Sequence, residues 1–141
     1  MEILTLKPTD DLSVFWNILS TFRTNLLEDT YQHELSEMMK DGFNLIYIMD
    51  NGEIAGFAGY RYIQKLFTGK TIYIDDLFTL PQYRGKGYAA SLLEYIHKEA
   101  ETAGMNKVEL DSGPTRNDAH RLYLNHKYII TSMHFSRPVS S

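Results

Sequence analysis

No cysteine occurs among the 141 residues, which excludes disulfides and thiolate metal sites. Basic charge is not in excess either: 14 Lys and Arg stand against 18 Asp and Glu, a formal net charge of −4. That balance disfavours non-specific nucleic-acid or membrane binding, since both need a net basic face. The longest unbroken aliphatic or aromatic run covers residues 45–49, far short of a membrane span. The start, "MEILTLKPTDD", has no basic n-region and no apolar h-region. It predicts no signal peptide and, by default, a cytoplasmic protein. Repeats, low-complexity tracts and linkers are missing, so one domain over 1–141 is expected. His33, His97, His126 and His134 show no metal-ligand spacing, and no metal is expected.

What is present is a regularly punctuated chain, 43% hydrophobic, long enough to bury a sizeable core. "EILTLK" alternates as a strand that Pro8 ends. Thr9 is placed to cap a helix with Leu12, Phe15, Trp16 and Leu19 on one face. A second helix is read over 31–40, ended by Asp41-Gly42. "NLIYIMD" and "EIAGFAGYRYI" are antiparallel strands around the tight turn "DNG". "FTGK" turns the chain into the strand "TIYIDDLFTL", stopped by Pro81. A helix over 88–103 buries Ala89, Leu92, Leu93, Ile96 and Ala100 and closes at Gly104. "KVELD" is a strand, 117–125 a short helix and "YIITSMHF" a last strand. The order β-α-α-β-β-β-α-β-α-β predicts a mixed α/β fold, with a mostly antiparallel sheet and helices on both faces.

"LPQYRGKGYAASLL", residues 80–93, holds the chemistry. Gly85 and Gly87 allow close backbone approach, and Arg84 and Lys86 add positive charge. The segment joins a strand end to a helix start, where unpartnered N–H groups and the helix dipole favour an anion. It is neither G-x-G-x-x-G nor a P-loop.

"DDLFTLPQYRGKGYAASLL" resembles the acyl-CoA-binding motif of the GNAT superfamily of N-acetyltransferases. The core [R/Q]-x-x-G-x-[G/A] is matched by Arg84, Gly87 and Ala89. The later "LDSG…R-x-x-A-H-R-x-Y", from Leu110 to Tyr123, is similar to one branch of that superfamily. The resemblance implies acetyl-CoA as donor. The N–H groups of Arg84, Gly85, Lys86, Gly87, Tyr88 and Ala89 would hold its pyrophosphate. Leu77, Phe78 and Thr79 would pair through their backbone with the pantetheine arm, where their strand splays from "KVELD". Arg116 stands where many members carry an asparagine, and would bind a CoA phosphate or an acidic acceptor. Lys127 stands where many carry a glycine as left-handed helix cap, so either Asn125 takes that role or the turn differs.

Acetyl transfer to an amine needs a neutral amine, a donor for the oxyanion and a proton for the departing thiolate. By the resemblance, Tyr123 is the candidate acid. For the base, Asp111 comes first and Asp75 next, with a water chain as the alternative. Asp75 and Asp76 are neighbours in a strand, so their side chains are expected on opposite faces. The expected function is N-acetyl transfer from acetyl-CoA to a primary amine of a small molecule or protein, by direct attack on the thioester. A non-catalytic acyl-CoA sensor is the alternative, and a phosphate-binding module without CoA a third. Glu28, Asp29, Glu34 and Glu37 give the helical region an acidic cast that suits a cationic amine. The aromatic stretch "GYRYIQKLF", 59–67, points to a homodimer.

Overall fold

The computed structural model describes residues 1–113 and 116–140. Pro114 and Thr115, inside the "LDSG…R" stretch, lie outside the described residues. Two compact units are present, one over Met1–Leu110 and one from Asp111 onward.

The first unit is a five-stranded sheet in the order β1-β2-β3-β4-β5, built from β1 (Ile3–Thr5), β2 (Asn44–Asp50), β3 (Glu53–Lys65), β4 (Gly69–Thr79) and β5 (Lys107–Leu110). The first four pair antiparallel, and β5 joins β4 in parallel. The parallel step needs a crossover, supplied by α3 (Tyr88–Thr102). Helices α1 (Trp16–Phe22) and α2 (Tyr31–Lys40) precede β2. Strand alternation sorts the core into two layers. Leu45 and Tyr47 of β2 pack with Phe15, Ile18, Tyr31 and Leu35 on the α1 and α2 side. Ile46 and Ile48 fall on the other face, where α3 buries Leu92, Leu93 and Ile96 completely. Each such side chain is worth about 1.5–3 kcal/mol of transfer free energy.

The first helix differs from its sequence reading. Asp10 accepts from the Lys7 N–H at 2.9 Å, which closes a turn over 7–10 and leaves Thr9 inside it. Asp11 is the cap instead, accepting from the Ser13 N–H at 2.9 Å. It opens a 3-10 turn, Leu12–Phe15, that runs into α1.

The second unit contains α4 (Asn117–Asn125). Lys127 itself takes the left-handed conformation, with φ 69. The Tyr128 N–H reaches back to the Tyr123 carbonyl at 3.0 Å and the Lys127 N–H to Leu124 at 3.2 Å. This is a Schellman ending made without glycine, at a cost of about 1 kcal/mol. The expected last strand is not formed: residues 129–135 carry no strand. Its β-branched and aromatic composition satisfies propensity, but a strand also needs a ladder partner, and the second unit contains no strand among the described residues. Ile129, Ile130, Met133 and Phe135 stand exposed.

Candidate active site

After β4 the chain makes a 3-10 turn, Pro81–Tyr83, passes Arg84 and enters α3 at Tyr88. Gly85 and Gly87 both have left-handed backbone, φ 86 and 80. A Cβ on either would meet nothing within 4 Å, so the requirement for glycine there is conformational, and the loop borders open space. The first α3 bond runs from the Ser91 N–H to the Gly87 carbonyl at 3.0 Å. Among the described residues, no protein acceptor takes the N–H groups of 85–90. A run of unpartnered N–H groups, glycine-shaped and at the positive end of a 15-residue helix, is an anion cradle. Lys86 is engaged beside it, with Nζ 2.8 Å from Asp50 Oδ2. Arg84 Nε donates to the Thr79 carbonyl at 3.3 Å, and its guanidinium lies 5.7 Å from the Phe78 ring centre.

The preceding strand leaves an edge open. Strand β5 pairs only with residues 71–74 of β4 and ends at Leu110, opposite Ile74. Strand β4 continues to Thr79, paired on its other side with β3 through Gly56. Leu77, Phe78 and Thr79 therefore have a β5-side edge with no ladder partner among the described residues. Thr79 Oγ1 is buried without a hydrogen bond.

Asp75 and Asp76 are not sent to opposite faces. The β3–β4 register passes from Gly59↔Asp76 to Tyr60↔Ile74, so Asp75 is the extra residue of a β-bulge. Asp75 Oδ2 receives Arg61 Nε at 2.8 Å, and the Arg61 guanidinium lies 5.4 Å from the Phe43 ring centre. Asp76 Oδ1 receives Arg23 Nη2 at 2.6 Å and Nε at 2.9 Å. Both Phe43 and Asp76 crowd the point where a Gly59 Cβ would stand, so both ion pairs gather on the Phe43 side. Burial pushes the Asp76 carboxyl above its ordinary value, and the Arg23 guanidinium opposes that rise.

Asp76 and Arg23 border a cavity of about 250 Å³, walled by Leu19, Leu26, Tyr31, Met38, Phe43 and Phe57, with Glu34 also lining it. Sequence reasoning ranked Asp75 ahead of Asp76 and passed over Arg23. The bulge that decides between the carboxylates is not encoded in local alternation. Gly59, opposite Asp76, leaves room for the Phe43 ring.

Asp111, Arg116 and Tyr123 belong to the second unit. Asp111 Oδ2 stands 3.6 Å from His134 Nδ1. Arg116 precedes α4, and its carbonyl accepts the His120 N–H at 3.0 Å. Tyr123 is buried, its ring 5.8 Å from that of Tyr128. Burial raises the Tyr123 hydroxyl above its usual pKa, while Arg116 pulls it down. It stays protonated at neutral pH, as a donor must. No group of three or more His, Asp or Glu suited to a metal ion occurs among the described residues.

The first unit thus combines a five-stranded mixed sheet, a strand edge left open beyond its parallel partner and a run of unpartnered N–H groups at the start of the next helix. The acetyltransferase (GNAT) family matches residues 12–128, and the chain belongs to that family. It is 33% identical over 141 residues to an uncharacterized N-acetyltransferase of Bacillus subtilis (strain 168), YhdJ, covering 99% of this chain and 98% of that one. It is 29% identical over 117 residues to the aminoalkylphosphonate N-acetyltransferase of Salmonella typhimurium, covering 82% of this chain and 68% of that one. Its fold matches that of AAC(6')-Iy, solved with the bisubstrate analog CoA-S-monomethyl-acetylneamine, at a TM-score of 0.83 and 16% identity over 97% of each chain. The chain is an acyl-CoA-dependent N-acetyltransferase with acetyl-CoA as cosubstrate. No described helix is long and apolar enough to cross a membrane.

Proposed function

We propose that the protein acetylates a small primary amine held in the cavity at Asp76. The observation that carries this reading is the cavity itself, about 250 Å³ with a half-buried carboxylate on an otherwise mostly apolar wall. Its volume lies just below the usual range for small-molecule pockets and suits a compact amine better than a polymer side chain presented by a protein surface. The aminoalkylphosphonate enzyme that this chain resembles favours the same size class.

In this reading the diphosphate of acetyl-CoA rests on the N–H groups of 85–89, because the Arg84 N–H, expected to share in this, is taken by the Pro81 carbonyl at 3.3 Å, and the pantetheine arm adds to the open edge at Leu77, Phe78 and Thr79. Lys86 contributes charge, and Arg116 is assigned to a CoA phosphate or an acidic group of the acceptor. Acetyl-CoA supplies an activated acyl carbon. The amine nitrogen attacks that carbon and the carbon–sulfur bond breaks. Asp76 attracts the ammonium and takes the proton the nitrogen must lose. Tyr123 gives its hydroxyl proton as negative charge gathers on sulfur. Asp111 and Asp75 are the competing bases. Asp75 and Asp76 are each held by an arginine and are similarly half-buried, but of the two Asp76 lines the cavity, and Asp111 is 44% exposed beside His134. A homodimer is part of the proposal. In the 59–67 stretch it rests on Leu66 and Phe67, fully exposed at the β3–β4 turn, and a monomer mass by light scattering at micromolar concentration would reject it.

The test is a panel of amines with acetyl-CoA, read by release of free CoA. Compact alkyl and arylalkyl amines should turn over, and a lysine-containing peptide should not. Turnover confined to the peptide would overturn the small-amine assignment.

A further inference from the structure

The turn between β2 and β3 reads Asp50-Asn51-Gly52-Glu53. Asn51 and Gly52 have φ 52 and 78, the left-handed pair that a two-residue I′ hairpin turn demands. Asp50 and Glu53 then face each other across the ladder, so the turn presents two neighbouring carboxylates. Both are engaged by the cofactor loop. Glu53 Oε2 accepts the Tyr83 hydroxyl at 2.6 Å. Asp50 Oδ2 accepts Lys86 Nζ at 2.8 Å and the Tyr88 hydroxyl at 2.6 Å. Tyr83 lies just before Arg84, and Tyr88 opens α3, so their two bonds bracket the glycine-containing stretch 84–87 and the Lys86 bond falls within it. That stretch has no packing of its own at Gly85 or Gly87.

We infer that Asp50 is a positioning residue for acetyl-CoA, holding Lys86 and Tyr88 so that the loop is set for a diphosphate before the cosubstrate arrives. The inference rests on the assignment of the diphosphate to that loop. Two effects of Asp50 oppose each other. Its charge repels an incoming phosphate and partly neutralises Lys86. Its bonds remove conformational freedom from two glycines and a lysine, freedom that binding must otherwise remove. The lysine side chain is 50% exposed, so the repulsion is screened by solvent and salt, whereas the ordering is not. Ordering wins. As an isolated ion pair at that exposure, Asp50–Lys86 adds little to global stability, so its effect belongs in the binding step.

The experiment compares wild type, Asp50→Asn and Asp50→Ala by calorimetric titration with CoA and by steady-state kinetics. Asp50→Ala should weaken CoA binding about tenfold and raise the KM for acetyl-CoA by the same factor, with kcat at saturation unchanged. Asp50→Asn keeps an acceptor for the Tyr88 hydroxyl and should fall between the two. The KM for S-acetylpantetheine, which has no diphosphate, should not move in either variant; general damage to the site would move it. Gly87→Glu is the control for the loop assignment. If it abolishes binding while Asp50→Ala binds as tightly as wild type or tighter, the role of Asp50 is overturned and the loop assignment stands. If Gly87→Glu also binds normally, the loop assignment itself fails. Should Asp50→Ala not fold, Tyr88→Phe removes one of the same bonds and should weaken CoA binding about threefold; unchanged affinity there overturns the inference.

Discussion

In the proposed reading, residues 85–89 are contiguous and would act through backbone, whereas the cavity draws Leu19, Tyr31, Phe43, Phe57 and Asp76 from five places in the chain and would act through side chains. The loop's donors are backbone N–H groups, and its side chains enter only by setting its conformation, through two left-handed glycines and the Lys86 and Tyr88 bonds to Asp50. A site of that kind suits a constant cosubstrate. The cavity changes with every substitution in its walls, and a site of that kind suits an acceptor that differs between relatives. The two regions should therefore break differently.

The largest effect is expected at the loop. Gly87→Glu places a carboxylate in the anion cradle. The open space around Gly87 lets the fold survive at a cost of about 1 kcal/mol for the left-handed backbone. CoA affinity should fall about 100-fold or more, ~2.7 kcal/mol, in a calorimetric titration, with circular dichroism unchanged. The loop is not the anion site if affinity persists.

Tyr123→Phe comes next. It keeps the ring and removes the hydroxyl, so kcat should drop by ~10²-fold while CoA affinity holds. A near-wild-type rate, measured where chemistry limits turnover, returns Tyr123 to a packing role.

The smallest effect sharpens the contrast rather than breaking it. Arg23 holds the Asp76 pKa down against burial, so Arg23→Ala should raise it further. The acid limb of kcat should then move to higher pH, an effect damped by solvent because the Arg23 side chain is 45% exposed. A limb that stays in place or moves down detaches Asp76 from the rate.

Legibility in the sequence follows the same division. The "DNG" turn, the Asp41-Gly42 stop, Pro81 and Gly104 marked β2, β3, α2 and α3 because each acts within a few residues of itself. Likewise the glycines of "RGKG" marked the two left-handed positions of the loop before α3. Thr9 failed as a cap because Asp10 and Asp11, equally good by type, had already set the local turns. Residues 128–135 failed as a strand because ladder pairing is a property of two segments, and propensity describes one. The carboxylates at 75 and 76 were misplaced because alternation assumes an unbroken register, and the bulge opposite Gly59 and Tyr60 breaks it. Arg23 meets Asp76 across 53 positions, a pairing that no local pattern announces.

The central claim is that Asp76 carries the proton chemistry of the cavity, and the pH dependence of kcat in Asp76→Asn tests it most directly. Burial raises the folded-state pKa of this carboxyl. The stability it contributes is therefore fully present below the unfolded value near 3.8 and is lost as pH rises through the folded pKa. At neutral pH the ionised carboxylate is a stability cost, so Asp76→Asn should match or exceed the wild-type Tm and bind CoA normally. Its kcat should fall by ~10²-fold or more, and the acid limb that wild type shows as Asp76 becomes protonated should disappear. A variant that keeps both the wild-type rate and the acid limb contradicts the account and hands the proton to Asp111, Asp75 or water.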